Sequence, residues 1–175
     1  GASDTITLTA GSDTANLGAN VTGFETITVA AATTNDIKIT TKDENATTSQ
    51  ALTVNASALT NTAAALTFTS SENSTATINV TGGAGADSIT AGVETSNFSG
   101  GSGIDTFSFE SDNLTSVDTL AGGDGVDILS LSDASTIIDS DFNNVTGVET
   151  MAQADTDANQ TVTLGSLADA SGLAT

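Results

Sequence analysis

Three copies of one short pattern, all within residues 81 to 131, constrain this chain more than anything else in it. They read GGAGADSI from Gly82, GGSGIDTF from Gly100 and GGDGVDIL from Gly122. A worn copy, AGVETSNFS, begins at Ala91, nine residues after the first. Another, NLTSVDTLA, begins at Asn113, nine residues before the third, after a four-residue interruption at Phe109 to Asp112. The glycines allow tight turns with positive φ. The segment that follows, x-Asp-x-apolar, is a very short strand whose alternation sends Ile89, Phe107, Leu120 and Leu129 to a core. A recurring turn-plus-strand unit of this size stacks; it does not close into a globule.

Stacking would line up the carboxylates of Asp87, Asp105, Asp118 and Asp127 along one edge. Carboxylates held that close repel unless a cation lies between them. The chain has two basic side chains against 22 acidic ones, so the cation expected is an external one. Carboxylate and carbonyl oxygens in a flexible shell suit Ca2+ better than magnesium.

The net charge of −20 makes nucleic acid an unsuitable partner. Such acidity can signal disorder, but hydrophobic residues at 37% and near-continuous alternation favour a folded chain that needs cations. Cys is absent, so disulfides cannot staple it, and no apolar run approaches a membrane span. His and Tyr are absent too, with no HExxH and no nucleophile elbow, so the chain is not expected to be an enzyme.

Alternation continues on both sides of the repeats. DTITLT from Asp4 places Ile6 and Leu8 on one face; Gly11, Gly18 and Gly23 mark turns; Phe24, Ile27 and Val29 are core candidates. Further strands are expected at 36–40, 51–54, 65–69, 76–80, 129–133 and 136–138. SALTNTAA, from Ser57, is a helical turn or a corner. VTGVETM from Val145 echoes VTGFETI from Val21, and AGVET from Ala91 echoes both. Their glutamates, Glu25, Glu94 and Glu149, read as solvent-facing or capping groups, Glu94 and Asp124 as solvated turn residues, and the six phenylalanines as core rungs. The expected fold is all-β: an elongated right-handed parallel β-solenoid. It divides into a Thr/Ala-rich irregular segment at 1–80, a β-roll at 81–131 and a continuing solenoid at 132–175. A two-sheet sandwich over residues 4–40 is the alternative. The chain stops inside a repeat, as a piece of a longer array would.

The repeats resemble the RTX nonapeptide family, whose pattern is G-G-x-G-x-D-x-apolar-x. The resemblance implies an RTX-like β-roll in which two copies make one coil and calcium lies between neighbouring turns. It assigns the liganding carboxylates to Asp87, Asp105 and Asp127, and the liganding carbonyls to Gly83, Gly85, Gly101, Gly103, Gly123 and Gly125. Gly82 and Gly100, 18 apart, should stack directly, whereas the 22-residue step to Gly122 must bulge or break register. The chain departs from the pattern where Ser96 takes the Asp position, and around Asp118, where the glycines are gone. The Thr- and Asn-rich flanks resemble RTX-containing bacterial surface-layer proteins of the Caulobacter type. That resemblance implies a calcium-stabilised structural segment, secreted to the cell surface, which self-associates into a lattice and meets cell-surface polysaccharide through divalent ions. A module of a large RTX adhesin, or a non-catalytic accessory module of a secreted enzyme, is the alternative.

Overall fold

A computed structural model describes residues 3–9, 14–16, 22–30, 35–42, 45–46, 50–71, 76–133, 136–153 and 161–173. The turns expected at Gly11 and Gly18 lie outside these residues.

Short β-rich segments with two-residue alternation form sixteen strands among the described residues. Along the chain they are β1 (Thr5–Leu8), β2 (Thr14–Asn16), β3 (Thr26–Val29), β4 (Ile37–Thr40), β5 (Ala51–Asn55) and β6 (Leu66–Thr69). Next come β7 (Thr77–Thr81), β8 (Ser88–Thr90), β9 (Thr95–Ser102), β10 (Thr106–Phe109), β11 (Thr119–Asp124) and β12 (Ile128–Leu131). The last four are β13 (Thr136–Ile137), β14 (Val145–Thr146), β15 (Thr150–Gln153) and β16 (Thr161–Val162).

From β1 to β12 successive strands go to alternate sheets, and β13 pairs with β16 in a small sheet of their own. The first sheet runs β1-β3-β5-β7-β9-β11-β14 and the second β15-β12-β10-β8-β6-β4-β2, each of seven strands. The pairings are parallel throughout, β1 on β3 and β2 on β4 included, so the N-terminal part follows the solenoid arrangement and not the alternative sandwich. This is a parallel β-solenoid.

The core lies between the sheets as two apolar stacks. Ile27, Val54, Val80, Phe98, Leu120 and Val145 follow one another in register along the first sheet. Ile39, Phe68, Ile89, Phe107 and Leu129 do so along the second. All six phenylalanines are buried, and the Phe68 and Phe98 rings meet edge-on at 6.3 Å. Each fully buried side chain of this size contributes about 1.5–3 kcal/mol relative to exposure.

The interruption near Phe109 bulges and register survives. Phe109 ends β10 as a core residue, and a 3-10 turn at Ser111–Asn113 absorbs the surplus. Phe107 still faces Leu129, and Phe98 still faces Leu120.

A short helix, α1 (Ser166–Ser171), follows β16. The Asp139 carboxylate accepts from the Gly165, Leu167 and Ala168 amides at its start, at 2.9, 3.1 and 3.1 Å. No helix among the described residues is long and apolar enough to cross a membrane.

Candidate functional site: a column of buried carboxylates

Asp105 stands two residues before Phe107, so the parity that buries the ring also turns the carboxylate inward. The same holds for Asp87 before Ile89 and Asp127 before Leu129. The three are 2%, 0% and 0% exposed, and parallel pairing stacks them one per coil.

Each carboxylate accepts the backbone N–H of the coil before it. Leu66 N–H donates to Asp87 Oδ1 at 2.6 Å, Asp87 N–H to Asp105 Oδ1 at 2.7 Å, and Asp105 N–H to Asp127 Oδ1 at 2.8 Å. Asp127 N–H continues the series to Glu149 Oε2 at 2.9 Å. Asp118 is not part of this column. It heads β11 in the other sheet, where its Oδ1 accepts from Ser96 N–H at 2.7 Å and its Oδ2 from the Thr115 amide and hydroxyl at 2.8 and 2.9 Å. Near the N-terminus, Glu25 Oε2 accepts from Asp4 N–H at 2.7 Å.

This geometry corrects the expectation of a Ca2+ cofactor. Among the described residues, no three or more Asp, Glu, His or Cys side chains come together as a group able to hold a metal ion. The carboxylates are dealt out singly, one to a coil, and one oxygen of each, Oδ1, faces a peptide N–H donor. The N–H bonds to Oδ1 offset part of the cost of burying each carboxylate, and the rest favours the neutral, protonated form over the charged one.

The glycines serve close backbone packing. Gly101 pairs with Gly123 across β9 and β11, and the Gly83 carbonyl accepts from Ser102 N–H at 3.0 Å. A Cβ on Gly103, where φ is +119°, would overlap the Gly85 carbonyl oxygen, and one on Gly125 would overlap that of Gly103. Gly82, Gly100 and Gly122, the first glycines of the repeats, lie against the second carboxylate oxygens of Asp87, Asp105 and Asp127.

Those second oxygens differ. Asp87 Oδ2 accepts from Gly83 N–H at 2.5 Å. Asp105 Oδ2 and Asp127 Oδ2 are buried with no hydrogen-bond partner. Gly101 and Gly123 follow the corresponding first glycines with φ of +108° and +112°, unlike Gly83. A Cβ on Gly100 would overlap Asp105 Oδ2 and lie 2.7 Å from the Gly122 carbonyl oxygen, so these two acceptors border the same point. Burial, reinforced by the charges of Asp87 and Asp127, pushes the Asp105 carboxyl up to about 7. Burial also raises Asp87 and Asp127.

Glu94, expected as a solvated turn residue, is buried at 3% exposure; burial raises its carboxyl, and its Oε1 accepts from Gly92 N–H at 3.1 Å. Asp124 is exposed. Glu149, read as a solvent-facing or capping group, is exposed and caps the column by accepting from Asp127 N–H. The readable signal was V-E-T at the place of V-D-I, 22 residues after Asp127.

The fold and column together define a parallel β-solenoid whose coils are joined by carboxylate-to-amide bonds, consistent in general with RTX-like β-rolls. The chain matches no family model, no curated protein and no solved structure.

Proposed function

We propose that this chain is a structural segment, without catalytic activity of its own, of a secreted surface-layer protein that self-associates at the cell surface. The observation that carries the reading is the unbroken parallel pairing through two seven-stranded sheets, which makes a stiff rod whose job is to hold shape. The column supports a scaffold, because each Oδ1 ties its coil to a backbone amide of the coil before it.

The test is assembly of the purified protein, followed by sedimentation and negative-stain electron microscopy over a concentration series. The reading expects ordered sheets or filaments, and labelling of the parent protein on the outside of intact cells. A monomer at every concentration, or a parent protein found only inside cells, would contradict it.

A further inference from the structure

The corner between β5 and β6, which contains SALTNTAA, takes no part in the carboxylate column. β5 ends at Asn55, and the turn beyond it is pinned by the buried Ala56 and Leu59. The Ala56 amide donates to the Thr81 carbonyl, and the Leu59 amide to the Ala56 carbonyl, both at 2.8 Å. With Ala56 inward, its neighbours Asn55 and Ser57 face out, and both are exposed. The Asn55 carboxamide oxygen accepts from the Ser57 amide at 3.0 Å and from the Ser57 hydroxyl at 2.7 Å.

Asn55-Ala56-Ser57 has the form N-x-S/T, the acceptor sequence for a sugar on asparagine. Nine of the 13 asparagines open such a sequence in this Ser- and Thr-rich chain, so geometry has to choose among them. Asn20, Asn73 and Asn159 lie outside the described residues. Asn45 is buried. Asn79 and Asn97 are half-buried in strands, with Asn97 Nδ2 donating to Asn79 Oδ1 at 2.9 Å. Asn144 Nδ2 donates to the Ser116 carbonyl at 2.9 Å. Asn113 Nδ2 donates to Glu110 at 3.4 Å, and the hydroxyl of its motif, on Thr115, goes to Asp118. Among the described residues, Asn55 is the one exposed asparagine of the set.

Charge favours the same residue. The chain has 22 acidic side chains, yet residues 46 to 71 carry no charge at all, and Asn55 pairs across the sheet with the neutral Thr28 and Thr81. Asn113, by contrast, stands beside Asp112 and near Glu110. A sugar-phosphate donor is anionic, so an acceptor without neighbouring carboxylates meets it without repulsion.

We propose that Asn55 is an N-glycosylation site. The two hydrogen bonds from Ser57 draw charge onto Oδ1 and so loosen the Nδ2 protons. A bond forms from Nδ2 to the sugar C1 as the C1–O bond to the donor's phosphate breaks. The nucleotide- or lipid-linked phosphate leaves with the bonding electrons, and one Nδ2 proton passes to a base on the transferase. The inference does not depend on the surface-layer reading.

The experiment has two arms. In the first, the purified, folded protein is incubated with UDP-glucose and a soluble N-x-S/T glucosyltransferase, then mapped by tandem mass spectrometry with electron-transfer fragmentation. One hexose is expected, on Asn55. Asn55→Gln and, separately, Ser57→Ala should lower incorporation by about tenfold or more, with the melting temperature in place, whereas Ser57→Thr and Asn113→Gln should keep it. In the second arm, the peptide containing Asn55 is mapped in protein isolated from the cells that make it, and is expected to carry sugar. An unmodified Asn55 in that protein would overturn the proposal. So would hexose placed on the other asparagines in preference to Asn55, or full incorporation in Ser57→Ala.

Discussion

The backbone N–H of Asp87 donates to the side chain of Asp105, 18 residues further along and one coil on, at 2.7 Å. Replacing Asp105 by Ala leaves that buried donor without an acceptor, a loss of about 1–3 kcal/mol. Asn keeps an oxygen for Asp87 and turns a donor toward the Gly122 carbonyl, without a buried charge. Urea unfolding at pH 8 is therefore expected to rank Asp105→Asn above wild type and Asp105→Ala below it. Asp124→Ala, at the exposed end of β11, should stay within about 0.5 kcal/mol of wild type.

Acid should stabilise this protein over a range where many proteins are indifferent. The Asp105 carboxyl sits at about 7 in the fold against an ordinary value of 3.8, so the folded state holds its proton more tightly than the unfolded chain. Stability is then greatest below the unfolded value and declines as pH rises through the folded one. Asp87, Asp127 and Glu94 are raised as well and act in the same direction. The melting temperature is expected to be higher at pH 5 than at pH 8, with a shallower slope in Asp105→Asn. A melting temperature that climbs from pH 5 to pH 8 would count against a buried, partly protonated column.

Two glycine substitutions should part company. Gly103→Ala combines a φ of +119° with overlap on the Gly85 carbonyl, and is expected to lose about 3 kcal/mol or more by chemical denaturation. Gly23 has a φ of +76° with nothing within 4 Å of an added Cβ. Gly23→Ala should lose only the left-handed penalty of about 1–2 kcal/mol.

The parallel coils were legible in the sequence because Ile89, Phe107 and Leu129 recur at one phase of a two-residue period, and because 18-residue spacing sets Asp87 beside Asp105. The inward turn of the carboxylates was legible too, since Asp105 shares the parity of Phe107. What they meet there was not. Spacing alone does not reveal whether a carboxylate oxygen faces an ion or a peptide N–H, and counting charges as fully ionised exaggerated the need for a cation. Asp118 separated from the others because the strand it heads lies in the opposite sheet. Glu149 was legible as a solvent-facing or capping group, but which amide it caps, that of Asp127 one coil back, was not.

Hydrogen exchange in excess chelator tests most directly whether the column is held by its own amides. The Leu66, Asp87, Ser96 and Asp105 amides donate to carboxylates at 2.6 to 2.8 Å, and none of them needs a metal to do so. With chelator present they are expected to exchange as slowly as the amides of β7 and β9, and Asp105→Ala should speed exchange at Asp87 first. Exchange at loop-like rates in chelator, slowed only when a divalent cation is added, would contradict a column that closes on backbone N–H groups alone.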